Sequence, residues 1–260
     1  MENKEKNNSK LVLVISIIGI IICAVFIGAK IYQGYKNDHA YDDLQSKVEK
    51  ETTQVEETTE ETIKDNPVNF EELYQTNKDI IGWLVIEDTK IDYPVLQYPE
   101  ENQAYYLYRN VYGEKSIYGS IYTERKNSKD FTDRVTVMYG HNMNNGSMFN
   151  NLHKFSDKEF FDKHQYIYLF IPGNILKYEV VSAFEYDDRH ILNSFDFADD
   201  KTFEGYLEMI QNPQSMVKNV RDGIELTLDD KILVLSTCVN TNESARYLVQ
   251  ARLAGDEITK

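Results

Sequence analysis

The chain has 260 residues, of which 28 are Lys or Arg and 43 are Asp or Glu, so its formal net charge is −15. Nucleic-acid phosphates and anionic surfaces repel such a chain, and no basic stripe offsets the charge, which argues against nucleic-acid binding. Two cysteines are too few for a disulfide scaffold or a Cys-rich zinc module, and the five histidines lack short metal-ligand spacing. We therefore expect no metal site.

Residues 11–29 form an uncharged, strongly apolar segment near the start of the chain. As a helix they would span about 28 Å, close to the ~30 Å hydrocarbon core of a bilayer. The apolar part of a secretory signal is shorter, typically ~7–15 residues, so we predict a single transmembrane anchor; a signal peptide and a buried helix are the alternatives. Three lysines precede the segment and two follow it closely, which favours a cytoplasmic stretch at 1–10 and an extracellular remainder in the cell membrane.

The stretch that follows, residues 30–66, is rich in acidic residues. Its second half, ETTQVEETTEETIKDNP, has no aromatic residue and almost no apolar periodicity. Such a segment buries too little surface to offset the entropy of ordering it. We predict an acidic stalk or linker over 30–66, with a specific acidic docking site as the alternative.

Hydrophobic patterning returns at residue 67 and continues to residue 260, which predicts one extracellular domain of ordinary size. Apolar residues at helical spacing predict helices over 69–77 and 201–211. Short runs rich in Val, Ile, Tyr and Phe, separated by turn residues, predict eight strands: 81–86, 91–97, 120–122, 134–139, 166–171, 177–184, 231–237 and 246–253. Many short strands and few helices favour a mostly β, mostly antiparallel barrel or sandwich.

Cys238 is the only cysteine of this domain, because Cys23 lies within the apolar segment. It lies at the end of an apolar strand and is followed by a polar loop, so the strand would hold its backbone rigid while its side chain is exposed to solvent. A free cysteine is also often a buried core residue, and that alternative stays open on this pattern alone. If the next strand returns as a hairpin, Arg246 comes back beside Cys238, where its guanidinium would favour the thiolate.

A thiol nucleophile needs a proton partner, and among the histidines His141 has the matching position. It follows the strand-like run at 134–139 and precedes an Asn-rich loop, so it also lies at a strand end. His153, His164 and His190 lie among charged residues and are interpreted as surface residues. Spacing alone does not establish contact between His141 and Cys238.

These motifs resemble those of the sortases, the cysteine transpeptidases of Gram-positive cell surfaces. The stretch Leu235-Ser236-Thr237-Cys238 is similar to the family's Thr-Leu-x-Thr-Cys signature, with Val234 in place of the first Thr. The segment YGHNM at 139–143 resembles its histidine motif, and Arg246 falls where the catalytic arginine follows the cysteine. Arg252 is the competitor for that role. The resemblance implies that His141, Cys238 and Arg246 are catalytic and that Ser236 and Thr237 help to bind substrate.

Within the family the sequence looks most like class B, from the opening strands at 82–95 and from the helix-bearing segment between the sixth and seventh predicted strands. The implied fold is an eight-stranded sortase-type β-barrel with an N-terminal helix and a helix in that loop, preceded by the transmembrane helix. The catalytic domain is expected to cover 67–260.

The implied activity joins a secreted protein, cleaved at a C-terminal sorting motif, to an amine, and the resemblance to class B implies that it needs no cofactor. The expected partners are such secreted proteins, the amine of a peptidoglycan precursor or cross-bridge (or of a pilin), and the membrane that holds the N-terminal helix. The alternatives are an anchored cysteine peptidase that releases its product to water and a non-catalytic surface β-barrel binding module.

Overall fold

A computed structural model of the chain describes residues 2–39, 41–46, 48 and 64–260. The chain forms two compact units, Met1–Asp43 and Leu44–Lys260. The first unit contains helix α1 (Glu2–His39), whose stretch Leu13–Lys36 is long and apolar enough to cross a membrane. Most of the second half of the predicted acidic stalk lies outside the described residues.

The second unit is mostly β. Its strands are β1 (Ile80–Val85), β2 (Asp92–Gln97), β3 (Ile121–Thr123), β4 (Val135–Tyr139), β5 (Tyr166–Ile171), β6 (Asn174–Asp187), β7 (Lys218–Val220), β8 (Ile232–Val239) and β9 (Asn242–Ile258). Its α-helices, after a short α2 (Asp42–Ser46) at the boundary of the units, are α3 (Phe70–Thr76), α4 (Lys158–Lys163), α5 (Ile191–Ser194) and α6 (Asp200–Gln211). Two 3-10 helices cover Tyr105–Tyr108 and Phe149–Ser156.

Eight of the strands close into a barrel. The hydrogen-bonded order is β5-β1-β2-β3-β4-β8-β9-β6, and β5 pairs with β6 to complete the ring, while the short β7 adds to β6 outside it. Closure removes the unpaired strand edges that would otherwise invite aggregation. Most pairs are antiparallel, but β2–β3 and β4–β8 are parallel. The predicted eight-stranded, mostly β barrel is therefore confirmed.

The predicted helices begin and end where local chemistry satisfies their backbone groups. The Asn69 side chain accepts a hydrogen bond from the backbone N–H of Glu72 and so caps α3, and Asp199 caps α6 in the same way through Thr202. Helix α6 lies in the long connection between β6 and β8, as predicted. The sequence analysis did not predict β7, α4, α5 or the two 3-10 helices; β7 and α5 have only three and four residues.

One face of the barrel wall packs against α6. Val137 of β4, Val234 of β8 and Leu248 of β9 are fully buried with Phe203 and Tyr206 of the helix. Successive side chains of a strand alternate between faces, so residues two positions further along β4 and β8 lie on this same face. His141 and Cys238 lie at the ends of β4 and β8, the strands that this packing against α6 supports.

The glycine between β4 and His141 permits a close approach that any side chain would prevent. A Cβ atom at Gly140 would lie 2.5 Å from Ile121 Cδ1 and 2.8 Å from the Phe149 ring. The matched position Gly205, on the exposed side of α6, has nothing within 4 Å of such an atom.

We predict that Gly140→Ala destabilises the domain by about 1–3 kcal/mol, because the added methyl overpacks the wall. Gly205→Ala should instead stabilise it by up to ~1 kcal/mol through helix propensity. Urea unfolding followed by the fluorescence of Trp83, the single, fully buried tryptophan, measures both changes. Equal stability of Gly140→Ala and the unaltered protein would contradict the packing described here.

Candidate active site

Parallel pairing brings the two predicted strand ends together. Strands β4 and β8 run side by side in register from Val135↔Ile232 to Tyr139↔Ser236. Beyond the last pair, the Gly140 N–H donates to the Ser236 carbonyl (3.3 Å), and the Thr237 hydroxyl donates to the Gly140 carbonyl (2.8 Å). The segment that enters His141 is thus tied to the strand that carries Cys238.

The returning strand places an arginine directly across from the thiol. Strands β8 and β9 form an antiparallel hairpin in which Cys238 pairs with Arg246. Paired residues of an antiparallel ladder present their side chains on the same face, with Cα atoms about 4.5–5.5 Å apart. The Arg246 Nη1 group donates to the carbonyls of Glu243 (3.0 Å) and Ala245 (2.8 Å), which anchors the guanidinium at the hairpin.

The competing arginine lies far from the thiol. Arg252 pairs with Ile232, at the opposite end of β8. Its Nε and Nη2 groups both donate to Glu179 Oε2, at 3.0 and 2.8 Å, in an ion pair that joins β9 to β6. Of the two arginines of β9, Arg246 is therefore the one that pairs with Cys238.

Cys238 is exposed, whereas the two residues before it are buried. Alternation puts Ser236 on the same face as Cys238 and Thr237 on the opposite face, where the Thr237 hydroxyl is engaged with Gly140. Because Cys238 is exposed, the alternative that it is a buried core residue is excluded. A role for Ser236 or Thr237 in binding substrate stays a prediction.

His141 is held by a backbone carbonyl that the sequence did not single out. Its Nε2 atom lies 2.7 Å from the Leu107 carbonyl oxygen, just within the 3-10 helix Tyr105–Tyr108. A carbonyl only accepts, so Nε2 carries the proton of this hydrogen bond and Nδ1 is the ring nitrogen left outside it. Nothing in a sequence pattern marks a carbonyl, so this contact depends on tertiary structure.

Tyrosine rings run along the wall beside the thiol. The rings of Tyr122 and Tyr139 lie 5.5 Å apart between centroids, and the Tyr139 ring lies 5.9 Å from that of His190. Burial raises the pKa of Tyr122, and negative charge on Glu124, Tyr108 or Cys238 raises it further. Burial also raises the pKa of Tyr139, so both phenols stay neutral at physiological pH.

A His–carboxylate pair fastens the connection after β6 over this row of rings. The His190 Nε2 atom lies 2.8 Å from Glu124 Oε1, and the Glu124 side chain is largely buried. Lys126 additionally donates to the Leu192 carbonyl and to the Asn193 side chain. The sequence interpretation of His190 as a surface residue gave no indication of this contact, because the two partners are 66 residues apart.

Two side chains also reach the backbone of the cysteine itself. Asn142 Nδ2 donates to the Cys238 carbonyl oxygen at 2.9 Å, and His153 Nε2 lies 3.1 Å from the same oxygen. His153, too, is therefore engaged at the site. Among the described residues, no group of three or more His, Cys, Asp or Glu is arranged to hold a metal ion.

Comparison with known proteins identifies the family of the chain. The family model described as "Sortase domain" matches residues 84–254, which is more than half of the chain. The chain belongs to the sortase family. Sortase B of Listeria monocytogenes is 31% identical over 246 residues, covering 93% of this chain and 95% of that protein.

Solved structures place the chain in the same class of sortase. The crystal structure of sortase B from B. anthracis in complex with AAEK1 superposes with a TM-score of 0.70 at 30% identity, covering 88% of this chain and all of that one. The Staphylococcus aureus sortase B–substrate complex also gives a TM-score of 0.70, at 25% identity, covering 85% and 98%. The chain is a class B sortase, a cysteine transpeptidase.

The exposure of the thiol gives a direct prediction. A methanethiosulfonate reagent should add one group to the folded sortase at Cys238, and Cys238→Ala should abolish that adduct, which intact-protein and peptide mass spectrometry would detect. Cys23 of α1 is present in both the unaltered protein and Cys238→Ala, so labelling of its peptide serves as the internal reference for the labelling of Cys238. An unlabelled Cys238 in the folded protein would contradict the exposed position described above.

Proposed function

We propose that this sortase cleaves a C-terminal sorting motif of secreted proteins and joins the acyl group to an amine of the cell wall, with Cys238, His141 and Arg246 as its catalytic residues. The observation that carries the assignment is the meeting of β4, β8 and β9. Because these strands pair, the Cys238 thiol, the His141 imidazole and the Arg246 guanidinium belong to residues at the same end of the barrel wall. Such a set suits acyl transfer through a covalent intermediate.

In the first half-reaction, the Cys238 thiolate attacks the carbonyl carbon of the scissile amide. The electron pair of the C=O bond moves to its oxygen, where the Arg246 guanidinium stabilises the negative charge. As the C–N bond breaks, the His141 imidazolium gives its Nδ1 proton to the departing amine. The products are a thioester on Cys238 and a free C-terminal fragment.

In the second half-reaction, the incoming amine attacks the thioester and loses a proton to His141. The C–S bond breaks, and the thiolate and imidazolium are restored while a new amide forms. The hydrogen bond from His141 Nε2 to the Leu107 carbonyl supports these roles, because it fixes the ring and leaves Nδ1 to exchange the proton.

Location follows the same proposal. The apolar stretch of α1 would hold the enzyme at the cell membrane with its catalytic domain outside, where secreted precursors emerge. A peptidoglycan precursor or cross-bridge supplies the amine, and a pilin amine is the other acceptor that this chemistry accommodates. Cys238 is the only cysteine of its domain, so it has no disulfide partner there and is a free thiol.

The experiment that tests the proposal presents the enzyme with a library of peptides, with and without an added amine, and identifies products by mass spectrometry. A transpeptidase forms the amine adduct, and turnover rises with amine concentration. Release of acid alone, whatever the amine concentration, would instead indicate a peptidase. Cleavage by Cys238→Ala would exclude the covalent mechanism.

The role of Arg246 can be separated from that of its neighbour on β9. We expect Arg246→Ala to lower kcat for the selected peptide about 10²–10³-fold, the usual cost of one lost oxyanion donor. Arg252→Ala removes the ion pair with Glu179 and should lower stability while kcat is retained. Full activity of Arg246→Ala, measured on protein shown to be folded, would refute its role.

We also predict that the connection carrying His190 forms one side of the peptide groove. Replacing Glu124 by Gln removes the charge that pairs with His190, so KM for the peptide should rise severalfold while the rate of thiol labelling at Cys238 is unchanged. Asp88→Asn is the matched control, because Asp88 makes a similar pair with His164 (3.0 Å). An unchanged KM in Glu124→Gln would show that the connection carrying His190 does not help to bind the peptide.

A further inference from the structure

The backbone of the proposed nucleophile lies where the sheet is irregular. The pairing of β8 with β9 shifts register between Cys238 and Val239, immediately after the thiol-bearing residue. At such an irregularity the ladder no longer holds each peptide group, so other partners must satisfy them. Here the partners of the Cys238 carbonyl are side chains from a segment 85 to 96 residues earlier in the chain.

We propose that Asn142 and His153 are positioning residues that clamp the carbonyl oxygen of Cys238 and so fix the peptide group beside the reacting sulfur. The inference rests on the proposed function, because it matters only if Cys238 is the nucleophile. The peptide bond is planar, so holding its oxygen from two sides also restricts the Cα atom that carries the thiol.

Both clamp residues are themselves held. Asn150 Nδ2 donates to Asn142 Oδ1 at 2.7 Å, which orients the Asn142 amide with its nitrogen toward Cys238. The His153 ring lies 4.8 Å from the fully buried ring of Tyr247, the residue that follows Arg246. The clamp thus connects the loop after His141, the 3-10 helix Phe149–Ser156 and the strand of Arg246.

The chemistry of the three atoms assigns different parts to the two residues. Asn142 Nδ2 can only donate, and the carbonyl oxygen can only accept. His153 Nε2, which is 3.0 Å from Asn142 Nδ2 and 3.1 Å from the oxygen, either carries a proton and donates to Cys238 or lacks it and accepts from Asn142. Asn142 is therefore the constant donor, and the contribution of His153 depends on which nitrogen carries its proton.

Positioning predicts a loss of rate rather than of affinity, since a small misplacement of reacting atoms can cost about 100-fold. Asn142→Asp keeps the shape of the side chain and its contact with Asn150 but replaces the donor by an acceptor. Asn144→Asp makes the same charge change at an exposed position of the same loop, where the side-chain contact is with Asn240. His153→Phe keeps a ring against Tyr247 without a donor, and His153→Gln keeps an amide donor.

The test measures kcat and KM of the full-length protein with the peptide and amine selected above, and the rate of Cys238 alkylation by iodoacetamide. We expect Asn142→Asp and Asn142→Ala to lower kcat 10- to 100-fold with KM within about threefold, and Asn144→Asp to match the unaltered protein. His153→Phe should lose about tenfold in kcat, and His153→Gln should recover most of it. Alkylation should stay within about threefold for Asn142→Ala and His153→Phe, because a small reagent needs no aligned amide.

Unchanged kcat in Asn142→Ala and His153→Phe would overturn the clamp. So would equal losses of kcat and alkylation rate in those two variants, since these would indicate a general effect on the thiolate. If the Asn142 variants fail to fold, the comparison of His153→Phe with His153→Gln decides, and equal activity of that pair refutes the proposal. Failure of the proposed function has a different signature, in which the unaltered protein is alkylated but transfers no peptide to any amine.

Discussion

The parallel pairing of β4 with β8 is the constraint on which the rest of the site depends. In a closed barrel of short strands, these two run in the same direction, so their ends meet on one side. The hydrogen bond from Thr237 to the Gly140 carbonyl extends this contact past the end of the ladder. His141 and Cys238, 97 residues apart in sequence, are brought together by backbone pairing rather than by any affinity between their side chains.

The antiparallel hairpin of β8 and β9 brings in Arg246, the third residue of the proposed catalytic set. A tight connection between adjacent strands fixes their register, and that register sets Arg246 opposite Cys238. Val234 and Leu248 of these strands are buried against α6 on the same face as Cys238, which is exposed at the strand end. Apolar packing along one face thus holds rigid the strands whose ends carry the proposed chemistry, an arrangement that suits precise positioning.

Polar contacts complete the site at the points where the strand ladders end. Backbone groups there lose their strand partners, and loops must replace them. Leu107 contributes a carbonyl to His141, the loop after His141 contributes Asn142 to Cys238, and the pair of Glu124 and His190 fastens the connection after β6. Each contact joins segments that are distant along the chain, so rigidity at this end of the barrel depends on the whole fold.

The sequence by itself determined the apolar stretch of α1, the strand-rich character of the domain, the helices α3 and α6, and the motifs around His141 and Cys238. Local periodicity and short motifs carry that information because they depend on neighbours in the chain. Only the tertiary structure decided that β4 and β8 are parallel neighbours and that Arg252 pairs with Glu179. It likewise decided that His153 and His190 make specific contacts at the site. The interpretation of His164 as a surface residue was wrong, because His164 is buried. Those outcomes depend on register and on pairings between residues tens of positions apart, and no local pattern of side chains encodes them.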